Sequence, residues 1–277
     1  MKPGCNLQIA TENQYVLAYD LFPNPTDTKT LNPFLDNFLE QHKELPEYIV
    51  ADVGYGSEEN YMYIHDVLHK TPLITYGSYH KESKKKYKNH PFNVENWLYL
   101  EEQDEYICPA KRPVSFKRYS RRKDKGEFVR DFKVYECENC RACPIRSQCT
   151  KAKSDRKRQI LVNNSWRYFK AECKKRLLDE KTGSIYRKRK IDVEPVFGHL
   201  KAQLAFHRFH LRGKQGAKID IGLALMALNL RKLGKYMERK TRKKERTRSI
   251  LMIIAKIERV FFSVFSFLRT DYCPRLF

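Results

Sequence analysis

A chain of 277 residues is long enough for one large domain or two modest ones. Its 55 Lys and Arg against 33 Asp and Glu give a formal net charge of +22, which predicts attraction to a polyanion, nucleic acid first and an anionic membrane surface second. A short polar start and the absence of any run of about 18 uncharged apolar residues argue against a secretory leader and a membrane span. The chain is therefore expected to be soluble and cytoplasmic, with its eight cysteines serving as thiols or metal ligands rather than disulfides.

In chain order, Leu7 to Ala10 and Tyr15 to Phe22 read as two strands of a hairpin, with Thr11 to Gln14 as the turn. Asn32 is placed to cap a helix beginning at Pro33, with Phe34, Leu35, Phe38 and Leu39 on one face and Pro46 as its latest end. Tyr48 to Ala51 is a buried strand ending at Asp52. The glycine-bearing loop Val53 to Ser57 follows, and Ser57 caps a helix from Glu58 to Leu68. An acid on the last residue of a buried strand, before a turn into a helix, is where open α/β sheets place working residues, although such an acid also caps turns. Leu73 to Tyr76 is another short strand. The stretch from Tyr79 to Lys88, in which Glu82 is the only acid, reads as a phosphate-contacting loop with aromatics for stacking, or as a solvated loop.

Phe92 to Tyr135 alternates weakly and suggests several short strands forming an insertion. It runs into Cys137, Cys140, Cys143 and Cys149, four thiols with the close spacing that a structural Zn²⁺ site needs; Cys108 is a candidate to replace one of them. An iron–sulfur cluster is the rival reading, and an unoccupied cluster the third. Arg156 to Val162 reads as a strand resuming the sheet, Asn164 or Ser165 as the cap of a helix through Leu178, and Ala217 to Tyr236 as a helix with little polar face, hence buried. Arg239 to Arg248 is a basic run, and Ile250 to Leu268 is apolar and helical in tendency.

Between these last helices lies the stretch from Ile191 to Lys201. On a helix, Val193, Val196, Phe197, Leu200 and Leu204 form one apolar stripe, and Glu194, Gly198 and Lys201 share an edge of it. Pro195 is tolerated only in a first turn, so Glu194 belongs at the helix N-terminus, where a negative charge is favoured. A solvated edge is the plain alternative.

Taken together, the segment from Lys2 to Gln8, the Ala51-Asp52-Val53-Gly54-Tyr55 stretch, the four-cysteine cluster, Val193 to Lys201, Phe209 with Arg212-Gly213, and Ala227 with Asn229-Leu230 resemble the insertion-sequence DDE transposases of bacteria. The resemblance covers roughly Lys2 to Tyr236. It implies an α/β, ribonuclease H-like fold, split here into residues 1–90 and 156–236, with a β- and cysteine-rich insertion at 91–155 and a basic, then apolar helical tail at 237–277. It also implies metal-dependent phosphoryl transfer on DNA. Carboxylates there hold Mg²⁺ or Mn²⁺, and Asp52 matches the second acid and Glu194 the third.

The family's late Tyr, Arg, Glu, Lys motif falls on Tyr186, Arg189, Glu194 and Lys201. The Arg–Glu spacing is one residue longer than usual, so Lys190 competes with Arg189; with Arg212 these cations are the expected phosphate contacts. The strand carrying the family's first acid precedes the segment that begins here at Pro3, so the chain reads as the C-terminal part of a transposase, truncated or translated from an internal start. Asp20, on a different strand, is the only nearby stand-in. The expected partners are transposon and target DNA, with a homodimer as the expected assembly. The expected behaviour is catalytic impairment alone, the alternative being a non-catalytic, zinc-stabilised nucleic-acid-binding remnant.

Overall fold

The computed structural model describes residues 5–243, apart from Lys125 and residues 153–155, together with Ile257. The apolar segment Ile250 to Leu268, apart from Ile257, and residues 244–248 of the basic run before it therefore lie outside the described residues. The chain divides into two compact units, one of Met1–Ala51, Leu68–Leu73 and Leu177–Phe277, the other of Asp52–Val67 and Ile74–Arg176. The fold is mixed α/β.

In the first unit, β1 (Asn6–Glu12) and β2 (Tyr15–Phe22) pair antiparallel, with Asn6 opposite Phe22 and Glu12 opposite Tyr15. The connecting residues Asn13 and Gln14 both take positive φ, 52° and 65°, the backbone of a two-residue turn whose twist matches that of its strands. The predicted hairpin is present, with a tighter turn and a longer first strand than expected.

Helix α1 (Leu31–His42) starts two residues before Pro33, with Thr30 at its N-cap position. Pro33 then falls within the first turn, where its missing N–H costs nothing. Phe34, Leu35 and Phe38 are buried, as their spacing requires, and Leu39 stays exposed. The helix closes on Lys43 in the left-handed region, whose N–H reaches the Leu39 carbonyl at 2.8 Å. Strands β3 (Tyr48–Ala51) and β4 (Thr71–Ile74) form a separate two-stranded sheet.

The long helix α9 (Gly213–Lys243) packs on β2. Ala217, Ile221 and Leu225 join Val16 and Leu21 in one buried cluster, while Leu223, Leu230 and Met237 point to solvent. The expectation of a helix buried nearly all round is therefore corrected. One face packs on β2, with Leu228 partly buried against the same cluster, and Leu223 and Leu230 on the other side are left exposed.

Asn229 fastens this helix to the strand. Its Oδ1 accepts the Val16 N–H at 2.9 Å, and its Nδ2 donates to the Val16 carbonyl at 2.9 Å, so a buried side chain substitutes for a neighbouring strand. Asn229→Ala strands both backbone groups, and the expected loss is on the order of 2–4 kcal/mol. Urea unfolding measures it; a loss below about 0.5 kcal/mol would show that water replaces the amide without penalty.

In the second unit, α2 (Glu58–Met62) is capped by the Ser57 hydroxyl, which accepts the Asn60 N–H at 3.2 Å. The expected single helix to Leu68 is instead a short α-helix that widens into a π-helical turn over Tyr63–Val67. The basic stretch folds as two short helices, α3 (Tyr79–Glu82) and α4 (Lys85–Lys88), rather than as a loop.

Five strands then form an antiparallel sheet in sequence order: β5 (Leu98–Leu100), β6 (Glu105–Ile107), β7 (Pro113–Lys123), β8 (Val129–Cys137) and β9 (Gln159–Val162). The apolar run before Asn163 thus supplies the edge of this sheet by pairing with β8. Trp97, Tyr106, Val114, Tyr135, Ile160 and Val162 fill its core. Between β8 and β9 sits the short helix α5 (Arg146–Cys149).

Helix α6 (Asn164–Leu178) is capped one residue earlier than expected, by Asn163, whose Oδ1 accepts the Trp166 N–H at 2.7 Å. The same side chain donates to buried Glu58 at 2.7 Å. Burial pushes the Glu58 carboxyl up, opposed by the Asn163 bond and the Arg130 guanidinium.

Candidate active site and nucleic-acid interface

The late motif occupies two successive helices of the first unit. Helix α7 (Glu180–Asp192) begins at Asp179, whose Oδ2 accepts the Thr182 N–H at 2.9 Å. The chain breaks at Val193 and re-enters a helix as α8 (Glu194–Ala202), with Pro195 in its first turn. Continuing α7 through this point would set the Pro195 ring against the carbonyl four residues back, so the proline forces a new start. The restart places Glu194 at the first position of α8, where the helix dipole favours a carboxylate.

On α8, Val196 and Leu200 are buried in the β2–α9 core, while Glu194, Gly198 and Lys201 are exposed. The predicted shared edge of acid, gap and ammonium is what α8 presents outward. The predicted stripe is corrected at its end: α8 stops at Ala202, and Leu204 lies beyond it, exposed.

Upstream, the Arg189 guanidinium lies over the Tyr186 ring, 5.7 Å from its centre, with Arg189 half-buried. Lys190 is exposed. The two cations that compete for one role thus differ: one is stacked and held, the other projects into solvent. Arg212 is exposed, immediately before Gly213, whose φ of +76° opens α9.

Asp52 follows β3 and is exposed. Its Oδ1 accepts the Val53 N–H at 2.7 Å, and its carbonyl accepts the Tyr55 N–H at 3.0 Å, so it shapes the turn that leads to Ser57. It belongs to the second unit and Glu194 to the first. Both are exposed oxygen donors of the kind that hard divalent cations prefer. Among the described residues, no group of three or more His, Cys, Asp and Glu side chains is placed to hold a metal ion.

Asp20, the stand-in for a further acid, is buried and already engaged. It accepts the Leu21 N–H at 2.8 Å and the Asn37 amide at 2.7 Å, and pairs with the Lys218 ammonium at 3.0 Å. Those partners make it a fastening between β2, α1 and α9.

In the second unit, Cys108, Cys137, Cys140, Cys143 and Cys149 line one cavity of about 20 Å³. Cys137 and Cys140 are buried, and the others are half-buried. Burial, and then the neighbouring Cys140 thiol, push the Cys137 thiol up to about 12.

The β7–β8 hairpin is a cationic surface that the sequence reading passed over. From Phe116 to Val134 the sequence carries eight Lys and Arg against three acids. Tyr119 is 71% exposed, and Arg118, Arg121 and Arg122 are exposed beside it. Arg122 stacks on Phe132 at 5.4 Å. Weak apolar alternation hid it; the usable signal was the lack of any apolar face from Lys117 to Lys123. A two-stranded ribbon of this kind has the width to enter the major groove of a duplex.

No helix among the described residues is long and apolar enough to cross a membrane. No curated protein and no solved structure matches the chain. Residues 107–234, which span the cysteine cluster, the cationic ribbon and Glu194 but not Asp52, match the family model of the transposase DDE domain.

Proposed function

We propose that this protein derives from an enzyme that cuts and joins DNA by metal-dependent phosphoryl transfer. Asp52 and Glu194 are the carboxylates that would bind its metal ions, and Tyr186, Arg189, Lys190, Lys201 and Arg212 would contact phosphate. The observation that carries this reading is the transposase DDE match over a stretch in which Glu194 and Lys201 share the solvent edge of α8. Bound Mg²⁺ or Mn²⁺ supplies activation of the attacking oxygen and stabilisation of the leaving one in such chemistry. Glu194 contributes a fixed carboxylate at a helix N-terminus, and Lys201, two turns along the same edge, a cation for the phosphate. Arg189 is stacked on Tyr186, which sets the plane of its guanidinium.

Asp20 does not complete the carboxylate set, because its oxygens are committed to Asn37, Leu21 and Lys218. The protein alone is therefore expected to bind DNA and to cut it poorly. A supercoiled-plasmid nicking assay in Mg²⁺ and in Mn²⁺ tests this. The expected result is no cleavage above that of Glu194→Ala, with DNA binding retained in Glu194→Ala and Asp52→Ala. Robust cleavage abolished by Glu194→Ala would refute the impairment. Loss of DNA binding in both variants would refute the role given to the acids.

A further inference from the structure

The five-stranded sheet of the second unit carries a row of aromatic rings on one face. Successive side chains of a strand point to opposite faces, so the register decides which residues share one. Tyr99 on β5 lies opposite Tyr106 on β6, and Tyr106 opposite Val114 on β7. Phe116, two residues after Val114, lies opposite Tyr135 on β8. A bulge between Phe116 and Arg118 then absorbs one residue, so Tyr119, opposite Lys133, stays on the face of Phe116. The rings meet in series. Tyr99 and Tyr106 are 4.7 Å apart between centres, Tyr106 and Tyr135 5.1 Å, Tyr135 and Phe116 5.9 Å, and Phe116 and Tyr119 5.0 Å. Tyr106 and Tyr135 are buried in the core of the sheet. Tyr99 and Phe116 are each 37% exposed and Tyr119 is 71% exposed, more ring surface in water than a packed core would leave.

The row borders an open cavity of about 430 Å³, whose lining includes Tyr99, Tyr106, Tyr135, Lys133 and Arg167. That volume lies within the roughly 300–1,000 Å³ of sites that take small organic groups. The lining is held in place from within. Asp104 accepts the hydroxyls of Tyr99 and Tyr135, each at 2.6 Å, and the Lys133 ammonium at 3.0 Å, so one carboxylate fixes two rings and a cation. The Arg167 guanidinium, from α6, lies 5.6 Å from the centre of the Tyr106 ring and donates to its hydroxyl at 2.5 Å. Glu95, the acid in the lining, is paired with Lys170 at 3.3 Å.

We infer that this face binds a single-stranded segment of DNA, with bases stacked on Tyr119, Phe116 and Tyr99 and one nucleotide seated in the cavity beside Lys133 and Arg167. A duplex keeps its base faces inside its own stack and shows only their edges in its grooves, so exposed rings on a sheet gain little from it. An unpaired strand offers a π-face at every base, and rings interleaved with cations bind it whatever its sequence. Arg118, Arg121 and Arg122, exposed beside Tyr119, supply positive charge for its phosphates. The inference rests on the DNA reading above: a protein that cuts and joins DNA meets unpaired strand ends.

The test uses the full chain and a fluorescein-labelled oligothymidylate of about 20 nucleotides, longer than the roughly 4–16 that a binding face of this kind covers. A duplex of equal length is titrated in parallel. Tyr119→Ala is expected to weaken oligothymidylate binding about 5- to 100-fold and to leave duplex binding unchanged, whereas Tyr119→Phe, which keeps the ring, binds like the wild type. On the unaltered protein, photocrosslinking of a bromodeoxyuridine-bearing oligonucleotide followed by peptide mapping is expected to mark Tyr119, Phe116 or Tyr99, a result that does not depend on a variant's folding. Salt-sensitive duplex binding without crosslinks to these rings, or equal losses on both substrates in Tyr119→Ala, would overturn the inference and leave the DNA reading standing. Failure to bind either substrate would remove both. Tighter binding of oligouridylate RNA than of the DNA strand would overturn the choice of DNA as the occupant.

Discussion

Raising the salt concentration from about 50 to about 200 mM is expected to weaken binding of this protein to duplex DNA by roughly a thousandfold or more. A net charge of +22 has its effect through phosphate neutralisation, and each phosphate contact returns condensed counterions to solution. The cations available for this are exposed on separate elements: Lys190 at the end of α7, Lys201 on α8, Arg212 before α9, and Arg118, Arg121 and Arg122 on the β7–β8 hairpin. Six to ten such contacts give a slope of about −5 to −9 in a plot of log K against log salt. Replacing Lys190, Lys201 and Arg212 together by Ala is expected to reduce that slope by about 3, with little change between DNA sequences, because phosphate contacts carry no base information. Fluorescence anisotropy over a salt series measures both quantities. A triple variant with an unchanged slope would remove these three residues from the DNA interface and leave the hairpin as the principal contact.

What could be read in the sequence follows from how local each signal is. The hairpin, the strand before Asp52, the Ser57 cap and the restart of the helix at Glu194 depend on turn chemistry or on a proline, and each falls close to where residue types placed it. Asp52 and Glu194 stood out because a strand end and a helix N-terminus are visible in one dimension. The errors arose where a distant partner decides. Asn229 looks like a polar interruption in a leucine-rich helix until Val16, 213 positions away, supplies the two groups it binds. The leucines of α9 predict burial, yet how many faces are covered depends on the neighbours that β2 provides. Asp20 resembles a strand-end acid, and only Asn37 and Lys218 reveal it as a fastening. Glu82 is the clearest case. The only acid among lysines reads as an interruption in a solvated patch, and its burial cannot be inferred without α6.

Glu82→Gln is expected to destabilise the protein by about 3–5 kcal/mol, the cost of removing one partner from a buried ion pair. Glu82 is 4% exposed. Its carboxylate binds the Lys170 ammonium and pairs with that of Lys174 at 2.8 Å, and it accepts the Tyr76 hydroxyl at 2.8 Å and the Ser78 hydroxyl at 2.6 Å. Burial alone would raise this carboxyl; the bonds from Lys170, Lys174, Ser78 and Tyr76 together more than reverse it and leave it at about 2, against an ordinary 4.5. Because the folded value lies below the unfolded one, the contribution is complete above about pH 4.5 and is lost as pH falls towards 2. The gap between wild type and Glu82→Gln in urea unfolding should therefore be constant at neutral pH and narrow in acid.

Glutamine is close to isosteric, so the loss reports charge rather than packing; a gap below about 1 kcal/mol, or one that widens in acid, would contradict this account. The consequence reaches the surface. Glu82 anchors α3 to α6, and through that anchor the exposed Lys81, Lys84, Lys85, Lys86 and Lys88 are held in fixed positions around it. Releasing the anchor should leave the number of cations unchanged while loosening their arrangement. DNA affinity would then fall with little change in the salt slope, a signature that separates an organising residue from a phosphate contact.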